Sequence, residues 1–393
     1  MFTLLILILI YFSFISLGLQ DSLFGAAWPS MYNMLNVPLH YAGIISMIAA
    51  AGTVISSVFS VYVIRRFGTG LVVIFSILLT ALMLFSFSMS KSFLLLCLFA
   101  FPLGLGSGSV DASLNNYVAL HYKARHMSWL HCFWGVGASI GPLIMSFYLI
   151  NRDSWNSGYR TISIVQICLV LLLIFSLPLW KKNILPENKQ EQNKIEFKKI
   201  ISITGVKEAL CAFFCYCSLE ILTGIWGASF LVMERGIQPE IAARWISLYY
   251  LGITSGRFLS GFLTIKLNNR QMIRLGQIII GSGIIVLILP FGNSTLLPGL
   301  FMIGLGCAPI FPSLIHETPR NFGQEYSQAI VGIQMGSAYI GTTIMPIAFG
   351  WVTSLSGFKI FPVFMGIILI IKIILVEVLN RKVDRNKKPD HIT

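Results

Sequence analysis

The stretch Phe101-Pro102-Leu103-Gly104-Leu105-Gly106-Ser107-Gly108-Ser109-Val110-Asp111-Ala112-Ser113-Leu114 returns two hundred residues later as Phe301-Met302-Ile303-Gly304-Leu305-Gly306-Cys307-Ala308-Pro309-Ile310-Phe311-Pro312-Ser313-Leu314. The phenylalanine, the Gly-Leu-Gly run and the Ser-Leu pair keep their places. The same shift carries Gly52 and Ser60 onto Gly252 and Ser260, and Gly141 onto Gly341. Asp21 stands four residues before Gly25, as Glu220 stands four before Gly224. An almost constant offset across four pairs of apolar segments points to an internal duplication, each copy a unit of several segments.

Those segments recur along the whole chain. Of the 393 residues, 56% are hydrophobic and 11% charged, and the mean hydropathy is +0.80, which excludes a soluble domain on a single anchor. Runs of about 20 apolar residues match a hydrocarbon core of about 30 Å. They predict about twelve spans: 4–33, 41–64, 69–90, 92–120, 127–150, 160–180, 207–234, 241–266, 272–291, 295–317, 326–353 and 359–380. Helices are expected, because lipid offers backbone groups no partner and the runs are too long for barrel strands. The fold class is an all-α membrane protein of two pseudo-symmetric six-helix bundles. Its predicted parts are a first bundle over 1–180, a polar linker over 181–203, a second bundle over 204–380 and a tail over 381–393.

The net charge of +13 is distributed as a topology signal and argues against nucleic acid as a partner. Arg65 and Arg66, Lys123 and Arg125, the lysines of 181–199, Lys266 to Arg274, and Arg381 to Lys388 fall on alternate loops. Basic residues favour the cytoplasmic side, so both termini are expected there in a cell membrane, against anionic lipid. The apolar N-terminus lacks the basic residues that open a secretory signal. All seven cysteines lie inside spans, and neither they nor the six histidines have the spacing of a metal site. No cofactor is implied. No nucleophile and base accompany a phosphate loop or metal cluster, so an enzyme is not indicated.

Three carboxylates, Asp21, Asp111 and Glu220, stand inside apolar runs. A charge at the bilayer centre costs roughly 2.5–3.5 kcal/mol on insertion scales, and such residues usually line a water-filled path or a proton route. Arg257 is a fourth intramembrane charge, with Glu220 on the adjacent span as its expected partner. Asp111 and Asn115 share a helical face, with Asn116 beside them. Trp28, Trp134, Trp226 and Gln334 complete a set able to hold a hydroxyl-rich ligand by hydrogen bonds and aromatic faces. Each also has an ordinary reading: tryptophans pack between helices, and Asn or Gln joins helices by hydrogen bonds. His131 reads as structural.

Duplicated six-span halves with a site at their interface describe the major facilitator architecture, and the chain resembles that superfamily over essentially its full length. The loop motif after the second span, Gly-x-x-x-Asp-Arg-x-Gly, survives only as Arg66 and Gly68, with Val61 and Arg65 at the glycine and acid positions. Ser218-Leu219-Glu220-Ile221-Leu222-Thr223-Gly224-Ile225-Trp226 resembles the Glu-x-x-x-Gly-x-Trp pattern of the fucose and glucose/galactose permease branch. Asp21, Asp111, Asn115, Asn116 and Ala308-Pro309-Ile310-Phe311-Pro312 agree with that branch. The resemblance implies a monomeric sugar transporter.

Acids that gain and lose a proton suit symport, with Asp21, Asp111 and Glu220 as coupling candidates and H⁺ or Na⁺ as the ion. Gly137-Ala138-Ser139-Ile140-Gly141-Pro142 points to a competing class, since it resembles a motif of proton-linked drug exporters. Small residues four apart also serve plain helix packing. A non-transporting membrane sensor is a further alternative.

Overall fold

The structure, a computed structural model, describes residues 2–122, 124–152, 154–180 and 197–387. Among these there are helices and no strands. The first span is two helices, α1 (Phe2–Asp21) and α2 (Leu23–Met34). There follow α3 (Ala42–Phe67), α4 (Thr69–Met89), α5 (Phe93–His121), α6 (Ala124–Arg152) and α7 (Trp155–Ser176). After the short α8 (Phe197–Ser202) come α9 (Val206–Arg235), α10 (Pro239–Leu263) and α11 (Asn269–Ile288). The tenth span divides into α12 (Leu296–Cys307) and α13 (Ile310–Phe322), before α14 (Gln324–Ser356) and α15 (Phe361–Lys387).

Eleven segments among the described residues are long and apolar enough to cross a membrane, with α1–α2 and α12–α13 each forming one. The expected span at 241–266 corresponds to α10, which lies outside that set. Its 25 residues reach about 37 Å at 1.5 Å per residue, but it carries Glu240, Arg244 and Arg257.

Helix α15 runs past position 381, where the tail is expected, to Lys387. Polar partners hold the end of this helix: Arg270 binds Asp384 at 2.8 Å, Arg274 binds Glu377 at 2.7 Å and Lys382 binds Glu208 at 2.6 Å. Of the expected linker, residues 181–196 lie outside the described residues, and the remainder opens with α8.

The repeated glycines have a physical reason. A Cβ on Gly52 would overlap Phe101 O and Leu105 N, and one on Gly252 would overlap Phe301 O and Leu305 N. Gly104 sits on Ala49 O and Gly304 on Tyr249 O, so α3 crosses α5, and α10 crosses α12, with backbone on backbone. The next glycine behaves alike: Gly106 faces Ser76 O and Thr80, while Gly306 faces Gly276 O and Ile280. Without a strong hydrophobic drive in lipid, close van der Waals approach over small residues is what joins helices.

Gly137 and Gly141 meet the same requirement, seating α6 on Ile15 O, Leu19 O and Ser22 Oγ of the first span. Ser22 hydrogen-bonds back to Gly18 O at 3.1 Å and marks the break between α1 and α2, one residue after Asp21. Such back-bonding by a helical serine locally bends the chain.

Three contacts close the end of the bundle opposite the chain termini. His40 lies 6.2 Å from the Trp351 ring, Gly43 abuts Pro346 and Ile347, and Tyr32 donates to Met233 Sδ at 3.7 Å. Midway along, Gly25 of α2 lies against the Gly224 carbonyl of α9.

Gly252→Ala is expected to lower thermal stability in detergent by about 1–3 kcal/mol through overpacking. Gly261→Ala on the same helix, where a Cβ meets open space, should leave melting within about 0.5 kcal/mol of the unsubstituted protein. Equal melting of the two variants would remove the backbone-contact explanation of the repeat.

Candidate functional site

Asp21 is the last residue of α1, deep in the bundle by position, yet its side chain is exposed. A carboxylate in apolar surroundings is costly, so a central acid that keeps its side chain accessible is the candidate for a transport path. Asp111, Asn115 and Asn116 are half-buried on α5. Asn115 donates to Asp111 Oδ1 at 2.9 Å and to the Asp111 carbonyl at 3.0 Å. The four-residue spacing read from the sequence is thus used within one helix.

A chain of contacts runs from Asp21 across the seam between α6 and α10. Trp134 Nε1 donates to Asp21 Oδ2 at 2.9 Å. The guanidinium of Arg257 lies 5.0 Å over the same indole ring, within cation–π range. Arg257 also donates to the His131 carbonyl at 3.1 Å and approaches Glu220 to 3.9 Å. One arginine on α10 therefore holds a ring and a carbonyl of α6 and a carboxylate of α9. The Glu220 and Arg257 side chains keep 23% and 21% of their surface accessible, so solvent screens a pairing that is already long. Gly135 permits this seam, since a Cβ there would strike Thr254.

Beneath Asp21 lies a second polar series. Gln20 donates to Ser107 Oγ and accepts from Gln166 Nε2 at 2.9 Å, and Gln166 accepts from Thr80 at 2.9 Å. These neutral residues tie α1, α5, α7 and α4 behind the acid, and sequence reading did not single them out.

Three residues expected at a ligand surface are placed elsewhere. Trp28 is fully buried and donates its indole N–H to Leu39 O at 2.6 Å. Trp226 is also fully buried, donates to Pro346 O at 3.1 Å and packs on Phe349 and Phe358. Both act here as core residues, one N–H bond each compensating their burial. Gln334, 1% exposed, accepts from Thr318 at 2.9 Å beside Glu317. The cavity there has room of about 10 Å³, which suits one water and no sugar.

Two buried charges went unread. Glu317 is 3% exposed, 3.4 Å from Arg320 and 3.7 Å from Arg270. Lys372 is 0% exposed in the middle of α15, and its Nζ has no hydrogen-bond partner among the described residues. Its signal was visible: a lone lysine within the apolar run Gly366 to Val376. No group of three His, Cys, Asp or Glu among the described residues is arranged to hold a metal.

Trp134→Phe keeps a ring face for Arg257 and deletes the donor to Asp21, whereas Trp134→Leu deletes both. Melting should fall in the order wild type, Phe, Leu, with about 1–2 kcal/mol separating the ends. Identical melting of the two variants would mean that the ring does not hold Arg257.

Comparison with known proteins agrees with this architecture. The profile of the Major Facilitator Superfamily matches residues 10–238 and 208–391. The glucose/mannose transporter GlcP of Bacillus subtilis (strain 168) is 27% identical over 300 residues, 72% of this chain and 71% of that protein. The cis,cis-muconate transport protein of Acinetobacter baylyi is 23% identical over 363 residues, 87% and 86% of the two chains. Among solved structures, a bacterial homologue of the human lysosomal transporter Spinster superimposes with a TM-score of 0.77 at 11% identity, covering 98% of both chains. The nucleoside transporter NupG gives a TM-score of 0.75 at 14% identity, covering 95% of this chain and 98% of its own. The chain is a transporter of the Major Facilitator Superfamily, and not an enzyme.

Proposed function

We propose that this transporter carries a neutral sugar, a hexose or deoxyhexose, inward together with a proton. The observation that carries the reading is the exposed Asp21 at mid-bundle, with Asp111 and its asparagines half-buried on α5. Carboxylates and amides side by side offer the paired acceptors and donors that sugar hydroxyls need. The similarity to the glucose/mannose transporter of Bacillus subtilis supports the substrate class.

The bundles 1–180 and 204–380 rock about the central site, and the basic loops keep both termini in the cytoplasm of a cell membrane. The end closed by His40 and Trp351 then faces outward. Asp21 and Asp111 take up the proton, with Glu220 held in reserve by Arg257. A membrane potential of 100 mV supplies about 2.3 kcal/mol per charge moved, roughly fiftyfold in accumulation. The transporter works as a monomer, and Na⁺ is the alternative coupling ion.

A dicarboxylate substrate, suggested by the muconate relative, is the second reading. The candidate residues include three carboxylates and one guanidinium, so a dianion would meet net repulsion if all three were ionised. Export is the competing class, and Gly137 and Gly141 do not discriminate, since seating α6 on the first span is a packing role open to either. The sensor reading has no feature in its favour.

The test is proton movement in pH-reporting proteoliposomes of known orientation, as hexoses, deoxyhexoses, muconate and cationic drugs are added outside. A sugar should acidify the interior, and Asp111→Asn should abolish gradient-driven accumulation while leaving sugar exchange. Alkalinisation by a drug, or uptake of muconate alone, would sink the sugar reading.

A further inference from the structure

Helices α11 and α15 leave a groove of about 390 Å³ that opens on the surface of the second half. That room falls in the range of small-molecule sites. Gly281 and the buried Leu369 form its floor, and the exposed Ile278 and Ile285 stand along α11 beside it. From Arg274 to Ile285 the groove runs about 16 Å at 1.5 Å per residue. This is close to half of a hydrocarbon core of about 30 Å. The groove therefore has the depth of one leaflet, the one on the side where α15 ends.

The groove is most polar at that end. Arg274 donates from Nε to Glu377 Oε1 at 2.8 Å and from Nη2 to Glu377 Oε2 at 2.7 Å. Nη1 keeps its donors for a further acceptor, and more than half of the side chain is exposed. Gln277, 4% exposed, lines the groove one turn further in, and its Nε2 has no acceptor among the described residues. Lipid tails offer an unpaired amide nothing, so the groove's occupant is where that bond can be made. The last side-chain torsion of a glutamine is broad, and turning it presents the donor to the groove.

An occupant that fits is apolar over one leaflet's depth and carries oxygen acceptors and negative charge at one end. We propose that the groove binds one phospholipid of that leaflet, with its phosphodiester on Arg274, an ester carbonyl on the Gln277 amide and one acyl chain along Gly281. Arginine suits phosphate by its paired donors. Gln277 lies about 4.5 Å deeper than Arg274 along the helix axis, matching the order of phosphate and ester oxygens in such a lipid. A Cβ on Gly281 meets only Leu369 Cδ2, at 3.4 Å, so a longer side chain there enters the path of the acyl chain. Bound in this way, the lipid joins α11 to α15 beside the Arg274–Glu377 pair. The site is separate from Asp21 and Asp111 and does not depend on the substrate carried.

The test is native mass spectrometry of the delipidated full-length protein, with melting followed in parallel. It is titrated with phosphatidylglycerol, phosphatidylethanolamine, diacylglycerol of the same chains, and inorganic phosphate. One phospholipid should bind ahead of the rest and raise the melting temperature. Gln277→Met and Gly281→Leu should each weaken that first site about tenfold, and diacylglycerol should bind at least about tenfold more weakly than the phospholipid. Gly261→Leu, where a side chain meets open space on α10, should leave the affinity unchanged. A preference between the two phospholipids identifies the headgroup and equal affinity the phosphodiester alone, both supporting the site. Wild-type affinity in both Gln277→Met and Gly281→Leu, equal binding of diacylglycerol, or stabilisation by inorganic phosphate as large as by the lipid overturns the proposal. So does disulfide cross-linking between two copies of Ile278→Cys in vesicles, absent from the wild type, which would place a second chain on the groove.

Discussion

Every ionisable side chain inside this bundle must be reconciled with surroundings that solvate charge poorly, and the arrangement of the centre follows from how each one is accommodated. Asp21 is accommodated by an accessible side chain and one indole N–H. Arg257 spreads its charge over a ring, a carbonyl and a distant carboxylate. Glu317 lies between two arginines. Lys372 alone is left with no hydrogen-bond partner among these buried charges. The strength of each arrangement differs, and the weakest, the 3.9 Å Arg257–Glu220 pair and the unpaired Lys372, both belong to the second half.

That contrast has a mechanical side. Within each half, α3 on α5 and α10 on α12 touch through backbone atoms, with glycine at the crossing. Such crossings leave no side chains to repack, so they favour motion of whole helix groups over internal deformation. Between α6 and α10 the contacts are instead made by side chains: Trp134 with Arg257, Trp134 with Tyr250 and Trp129 with Phe258. Side chains can exchange partners at modest cost. A seam of that kind can exchange partners without disturbing the backbone-to-backbone crossings within each half.

Much of this was legible before any coordinates. The recurrence of Phe101 to Leu114 at Phe301 to Leu314 announced paired units, and the structure adds the reason, a shared need for close helix crossing at Gly104 and Gly304. The pairing of Arg257 with Glu220 followed from the cost of an isolated charge, and the two do approach each other. Trp28, Trp226 and Gln334 could not be sorted in advance, since a helical period tells which residues share a face and not what that face meets. Lys372 and Glu317 were legible as charges in or beside apolar runs and were passed over.

Length and hydropathy by themselves determined the kind of elements and every membrane-length segment but α10, because a bilayer imposes one spacing on every span, and they did not foretell the breaks that divide the first and tenth spans. Glycine placement determined which helices repeat one another's contacts. Tertiary structure alone decided that Asp21 stays accessible while Trp226 is buried, that Trp134 joins an acid of one half to an arginine of the other, and that Lys372 has no hydrogen-bond partner among the described residues. Those outcomes depend on distances of a few ångströms between side chains far apart in the chain, and local sequence carries no information about which of two faces another helix will cover.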